Sequence, residues 1–424
     1  MIRPTPLWRS VAVLGVAGLV LTACGGDDDA STETPSDSGT TSAAAGKGDG
    51  TLKIGTLLPQ TGSLAFLGPP EFAGVDLAIK DINDAGGVNG TQVEKVDSDS
   101  GDTSTDTASQ STDRLLSNNV DAIIGAASSS VSLSVIDKIV GSDVVQVSPA
   151  NTSDEFTTYD DKGLYFRTAP PDVLQGRVLG DLILADGNAS VGIMALQDSY
   201  GTGLADNATK SIEAGGGQVV ETVVYDPKAA SFSTEVGKMK AADPEAIAVI
   251  AFDETKKIIP ELVKQGIGPD TKKIYFVDGN LANYDKDFDQ GTLEGVKGTL
   301  PGVVADDSFK TRLEEVAPGL DEFAYAAESY DATILVALAA QAAGDDSGES
   351  IASKMQDVSA GGTACTSFAD CLALLEDGED IDYNGVSGPV EFNDAGDPSQ
   401  ASVGIYEYGA DNRYTFLEAK EGQI

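Results

Sequence analysis

Two serine-bearing clusters carry the chemistry most easily read from the chain. Ser128, Ser129 and Ser130 follow the apolar run DAIIGA and precede SVSLSVIDKIV, whose apolar spacing predicts a helix. Hydroxyls together with the unpaired N–H groups of a helix N-terminus can hold a carboxylate without a cationic side chain. The plainer reading is that these serines only cap the helix. The second cluster, Ser148-Pro149-Ala150-Asn151-Thr152, closes the next apolar run and offers a backbone carbonyl and a hydroxyl. Both clusters stand after strands, where open α/β sheets bind ligands.

What the chain lacks narrows its chemistry further. Histidine is absent from all 424 residues. That removes Ser-His-Asp and Cys-His nucleophile systems, His-ligated zinc or haem, and an imidazole base near neutral pH. Three cysteines are too few for a four-cysteine metal site. There is no P-loop motif, and Gly201-Thr202-Gly203 lacks the third glycine of a dinucleotide fingerprint, with Asp206 in its place. Neither G-x-S-x-G nor S-x-x-K occurs. Asp97 to Asp102 begins like a calcium loop, but Ala108 stands where the bidentate glutamate belongs, so a solvated turn is expected. With 68 acidic against 27 basic residues the formal charge is −41, which repels a phosphate backbone and argues against a nucleic-acid partner. No catalytic residue, cofactor or metal site emerges, and the expectation is a protein that is not an enzyme.

The elements that must position the clusters follow from the apolar pattern. From residue 51 short β-rich runs alternate with amphipathic segments, the signature of βαβ units and parallel sheets. TLKIGTLL reads as a buried strand, and Phe72, Val75, Ala78, Ile79 and Ile82 put a helix over residues 71–84. After Pro170-Pro171 the alternation restarts, with strands over 190–196, 217–225, 245–252 and 272–279. Between them lie stretches such as ETKKIIPELVKQG, where Pro260 either kinks a helix or sits in its first turn. A long helical region is expected from Asp306 to about Asp357, then a polar loop, then a β-rich tail of GPVEFND, ASVGIYEYG and RYTFLEA. The expected fold class is α/β, with two doubly wound parallel-sheet lobes.

The N-terminus predicts export. Arg3 and Arg9 precede VAVLGVAGLVLTA, an apolar stretch of about 13 residues, too short for a bilayer span of roughly 20 but suited to a secretory signal. Leu21-Thr22-Ala23-Cys24 resembles the bacterial lipoprotein box, in which cleavage leaves Cys24 as the lipid-modified first residue; an ordinary signal with a chance cysteine is the alternative. Residues 25–50 are rich in Gly, Ser, Thr and Asp and read as a flexible tether. Cys365 and Cys371 remain, and in an exported protein they read as one local disulfide, the alternative being two free thiols.

Over residues 51–424 the chain resembles the branched-chain amino acid type of periplasmic solute-binding protein that feeds ABC importers. The stretches that carry the resemblance are LKIGTLLPQTGSLAFLG, AIKDINDAGGVNG, VDAIIGAASSS, VVQVSPANTS, YFRTAPPDVLQG, QDSYGTGLA, IAVIAFD and GPVEFNDAGD, in order and at appropriate spacing. It implies a lobe of 51–167 plus 302–381 and a lobe of 172–298 plus 389–424. Three hinge crossings, near Arg167 to Pro171, Val296 to Pro301 and Asp382 to Pro389, would join them around a ligand cleft. It also implies a set of ligand contacts. Ser129, with Ser128 beside it, and Thr152 would take a ligand carboxylate, Ala150 would contact through its backbone, Asp278 would meet an ammonium, and Tyr200 would come from the second lobe. Phe252 stands where some members have tyrosine, and Leu67 likewise, so the wall at Phe66 and Leu67 is more apolar. The implied partners are a small amino acid, amide or related ligand and an importer permease, with the membrane reached through a lipid anchor on its outer face. An extracellular sensor of the same fold is the alternative function.

Overall fold

Four short apolar runs and one polar edge strand build the first sheet. In the computed structural model, which describes residues 48–302 and 304–424, these are β1 (Lys53–Leu58), β2 (Glu94–Asp99), β3 (Ala122–Gly125), β4 (Val145–Ser148) and β5 (Tyr165–Arg167). They lie parallel in the order β2-β1-β3-β4-β5. Every residue of β3 and β4 is buried, as expected of strands covered on both faces. Helices α1 (Gly68–Asp84), α2 (Thr107–Ser117) and α3 (Ser129–Val140) make the crossovers. Because β1 sits between β2 and β3, successive connections leave it in opposite directions, and a crevice opens beyond the strand ends at the loops leading into α1 and α3. The expected signal, Cys24 and the tether through Lys47 lie outside the described residues.

The second lobe repeats the scheme. α4 (Asp172–Ala185), α5 (Ser199–Ala214), α6 (Ser233–Ala242) and α7 (Thr255–Gln265) alternate with β6 (Ser190–Leu196), β7 (Gln218–Tyr225), β8 (Ala246–Ile250), β9 (Lys273–Phe276) and β10 (Lys297–Pro301). The chain then returns to the first lobe for α8 (Asp307–Val316), α9 (Ala326–Ala343) and α10 (Gly348–Ser359). β11 (Thr363–Cys365), α11 (Phe368–Glu376), β12 (Ile381–Gly385) and β13 (Gly388–Pro389) follow. A closing hairpin of β14 (Gln400–Tyr408) and β15 (Tyr414–Gln423) completes a seven-stranded sheet, β15-β14-β10-β9-β8-β6-β7, antiparallel only where the hairpin joins it.

Three details differ from the sequence reading, and at Pro260 one of two open alternatives is decided. The long helical region is three helices, separated by residues 317–325, which hold the Pro318-Gly319 turn and end at Tyr325, and by a second break that begins at Gly344; Tyr325 and Gly344 both have left-handed backbone. From Ala326 to Ala340 α9 is buried on every side, so no amphipathic stripe marked its ends. Pro260 stands inside α7 rather than in its first turn. The run GPVEFND is strand only at Gly388–Pro389, with an isolated bridge from Phe392 to Pro398. Asp97 to Asp99 belong to β2, where the Asp99 carboxylate accepts from Gln60 N (2.9 Å), Thr61 N (3.1 Å), Thr61 Oγ1 (2.6 Å) and Gly101 N (2.8 Å), and so shapes the loop into α1.

The chain passes between the sheets after Arg167, after Pro301 and again just before Gln400. Val390 and Phe392 pack into the core of the first lobe, Phe392 against Phe166 at 5.2 Å, so the last passage comes later than the resemblance implies. Asp397 explains why this segment stays. Its carboxylate accepts from Arg167 Nε at 2.6 Å and Thr157 Oγ1 at 2.7 Å, with both charged side chains essentially out of water. Cys365 and Cys371 are joined as a disulfide between β11 and α11. Among the described residues no helix is long and apolar enough to cross a membrane.

Candidate functional site

The two crevices face one another. From the first lobe, the loop after β1 contributes Leu64 and Leu67, the start of α3 contributes Ala127, Ser128 and Ser129, and the loop after β4 contributes Ala150. The second lobe brings Tyr200 on α5, Phe252 after β8, and Asp278 with Gly279 after β9; Tyr325, just ahead of α9, completes the lining. These walls nearly touch. The space between them is about 10 Å³, room for a single water. Ser130 Oγ reaches across to Ser199 Oγ (2.9 Å) and Asp198 Oδ2 (3.2 Å), and Asn207 Nδ2 donates to Asp154 Oδ2 at 2.6 Å.

Asp278 is the most elaborated group. Its Oδ1 accepts from Tyr200 OH at 2.6 Å and Gln175 Nε2 at 2.8 Å, and its Oδ2 from Tyr325 OH at 2.7 Å. Burial pushes its carboxyl above the ordinary aspartate range even though these three donors pull it down. The Tyr200 and Tyr325 phenols are pushed well above their usual range, by burial first and then by the charge of Asp278. Tyr325 reaches Asp278 from a left-handed backbone, φ 60°, a strained conformation of the sort concentrated at binding sites. Tyr200 also stacks on Phe252, with ring centroids 5.4 Å apart, giving the second lobe a flat aromatic wall.

On the opposite side the serines divide their tasks. Ser128 is the N-cap of α3, its hydroxyl accepting from Val131 N at 3.4 Å, so it caps the helix and lines the cavity at once. Ser129 Oγ accepts from Thr152 N and Ser153 N, both at 3.3 Å, which draws the loop after β4 onto the helix N-terminus. Arg167 holds the same loop from behind, donating through Nη1 to Asn151 O (3.3 Å) and Ser153 O (2.8 Å), the carbonyls flanking Thr152.

Of the residues singled out from sequence, Ser128, Ser129, Ala150, Tyr200, Phe252, Asp278 and Leu67 come together around the cavity. Thr152 is buried just outside the lining, and Phe66 is half-buried against the second lobe's core. Leu64, Ala127, Gly279, Tyr325 and Gln175 were missed. Leu64 and Gly279 adjoin recognised motifs, whereas Tyr325 falls within residues 306–357, expected as one helical region.

Two α/β lobes with facing crevices and a polar anchor on each wall form a bilobed architecture suited to closing around a small solute. A family model described as periplasmic binding protein matches residues 51–371, and the chain belongs to that family, with the type I fold. It is 26% identical over 379 residues to Leu/Ile/Val-binding protein homolog 1 of Brucella abortus (strain 2308), covering 86% of this chain and 93% of that one. It is also 26% identical over 363 residues to the chemotactic signal transduction system substrate-binding protein BasB of Halobacterium salinarum, covering 82% of this chain and 84% of that one. Among solved structures, a leucine-binding protein from Thermotoga maritima superposes with a TM-score of 0.72 at 23% identity, covering 87% of this chain and 98% of that one. The protein is thus a solute-binding protein and not an enzyme.

Proposed function

We propose that the protein is a lipid-anchored receptor on the outer face of the cytoplasmic membrane that captures an α-amino acid or a related small ligand and delivers it to an ABC importer. The observation that carries the reading is the pairing of a buried, tyrosine-held Asp278 with the N-terminus of α3 at Ser128 and Ser129 across an otherwise apolar cavity. A carboxylate facing a helix N-terminus suits a zwitterion, the ammonium to one and the carboxylate to the other. Leu64, Leu67 and Phe252 favour an apolar side chain between them. The names of the relatives support an amino acid, and the signal-like N-terminus with Cys24 supports the anchor. The likeness to a chemotaxis substrate-binding protein favours a second reading, a sensor that passes its signal to a membrane partner.

Calorimetry on the purified protein with leucine, isoleucine, valine, an aliphatic amide, urea and 4-hydroxybenzoate tests the first reading. Tryptophan fluorescence does not serve, because Trp8, the only tryptophan, lies in the expected signal. Saturable binding is expected with Kd of about 10 μM or tighter, and ligand at 100 times Kd stabilises the fold by about 2.7 kcal/mol. No binding and no thermal shift from any member of the panel sinks the reading. Recovery of a permease or of a signalling protein with the membrane-bound receptor separates importer from sensor.

A further inference from the structure

The closing hairpin leaves one long strand edge unpaired. β15 ends the seven-stranded sheet, with β14 on one side and, among the described residues, no strand on the other. Eight of its ten residues are exposed, and Phe416 and Leu417 keep 44% and 47% of their surface in water. The register to β14 skips Leu417, which has no partner there. At the far end Ile424 N donates inward to Ser399 O at 3.1 Å. Successive residues of an antiparallel ladder alternate between inward and outward hydrogen-bonding groups, so Gln423, Glu421 and Ala419 turn N–H and C=O toward the free edge. Arg177 Nη2 already donates to Gln423 O at 3.4 Å, which leaves the edge open from Leu417 to Glu421.

An open edge of this kind invites pairing, and charged side chains usually prevent it by repulsion. On β15 the charges alternate in sign instead. Glu418 and Lys420 form an ion pair at 2.7 Å along one face of the strand, and both side chains are about half exposed. A two-fold axis through Ala419 lays a second copy of the strand antiparallel to the first. Glu418 of each copy then stands opposite Lys420 of the other, in the pairs without backbone hydrogen bonds where side chains come closest. Phe416 falls opposite Gly422 of the second copy, whose missing side chain leaves room for the ring. Moving the axis one residue either way sets Glu418 against Glu418 or Lys420 against Lys420, and like charges directly opposite are destabilising. The charge pattern therefore selects one register.

We propose that β15 is the contact strand of a homodimer, in which two copies of this chain pair edge to edge about Ala419 and join their second-lobe sheets into one. No residue lining the cleft cavity lies on β15, so capture of a ligand and pairing of copies proceed independently. Five residues from each copy are far fewer than the 20–30 a side of a standard interface, so the association is reversible and needs high concentration. Each copy also carries a large excess of acidic residues, and their mutual repulsion opposes pairing at low salt. At an ionic strength of about 0.15 M the Debye length of about 8 Å screens that field, while the paired side chains remain in contact.

Sedimentation velocity at that salt concentration, on the purified chain, should show a monomer–dimer equilibrium with Kd between about 10 μM and 1 mM. Ala419→Pro removes an outward N–H without breaking the ladder to β14, and should leave only monomer. Glu418→Lys and Lys420→Glu each place like charges opposite one another twice, and each should weaken the dimer by about tenfold or more. Exchanging both in one chain, Glu418→Lys with Lys420→Glu, should return the dimer to within about threefold of its original strength. Urea midpoints measured alongside confirm that each variant is folded. An unsubstituted protein that stays monomeric to about 1 mM overturns the proposal, since the charges then only shield the edge. A dimer that survives Ala419→Pro overturns the contact strand. Loss of the dimer in the single charge variants without recovery in the exchanged chain overturns the register.

Discussion

Replacing Arg167 by methionine keeps most of the side-chain volume and removes the cation from the clamp between the β4 loop and the last passage between lobes. In the native structure Arg167 bonds Asp397, the carbonyls of Asn151 and Ser153, and the Thr157 hydroxyl, with no side-chain exposure of its own and 1% for Asp397. Taking away one partner of a buried pair leaves the other charge uncompensated, which costs about 3–5 kcal/mol. Unfolding entropy of about 2.1 cal/mol/K per residue over roughly 370 folded residues makes 4 kcal/mol worth about 5 °C. Scanning calorimetry should therefore show Arg167→Met melting about 5 °C below the unsubstituted protein. Arg167→Met with Asp397→Asn should recover part of the loss, because the stranded carboxylate is gone. Ligand affinity should fall in the single variant as well, since the carbonyls flanking Thr152 lose their anchor. A single variant that melts within about 1 °C of the unsubstituted protein and binds ligand equally well would refute the clamp.

Two further expectations concern the hinge and the response to pH. Gly302 lies at the second passage with φ +97°, and a β-carbon there would stand 1.9 Å from Glu328 Oε1; Gly302→Ala should cost about 2 kcal/mol or more, read as a lowered urea midpoint, and an unchanged midpoint would count against the contact. Asp121 accepts from Lys53 N at 2.8 Å, but burial, with the carboxylates of Asp346 and Asp49 nearby, pushes it up to about 7. Between the unfolded value near 3.8 and 7 the native state holds a proton that the unfolded chain lacks, so stability from this group falls as pH rises through that window, by at most about 1.4 kcal/mol per pH unit. Asp121→Asn should flatten the stability profile from pH 4 to 7, measured by urea unfolding at several pH values; an unchanged slope would remove Asp121 as the source.

Several strands of the second lobe were legible, as with SVGIMAL, which is β6 from end to end, whereas β9 is shorter than the expected 272–279 and β10 was not read as a strand. Continuous apolar runs bounded by polar turns admit few other readings in an alternating chain. The first-lobe side of the site was legible for the same reason, because Ser128 and Ser129 follow a strand and open a helix. Tyr325 was not, because it ends the loop of residues 317–325, whose Pro318-Gly319 turn was passed over when residues 306–357 were read as one helical region. Gln175 was obscured differently. Its place near the start of α4 looks like that of any polar helix residue until the fold turns that face inward. The role of Asp397 depends on a partner 230 residues away, a separation that no local pattern encodes.

The near-contact of the cleft walls has a consequence for selectivity. Leu64, Leu67, Ala127 and Ala150 of the first lobe share one apolar cluster with Tyr200, Phe252 and Leu281 of the second. An incoming ligand therefore competes with the protein for its own surfaces, and binding is an exchange of wall-on-wall contact for wall-on-ligand contact. Each tenfold preference of the chain for the self-closed arrangement weakens apparent affinity about tenfold, whatever the ligand. A branched aliphatic side chain restores what the walls give up when they part, whereas a guest as small as urea leaves them facing water. On the proposed capture of a ligand in this cleft, small polar solutes are expected to bind more weakly because of the attraction its two halves have for each other, without a group placed to repel them.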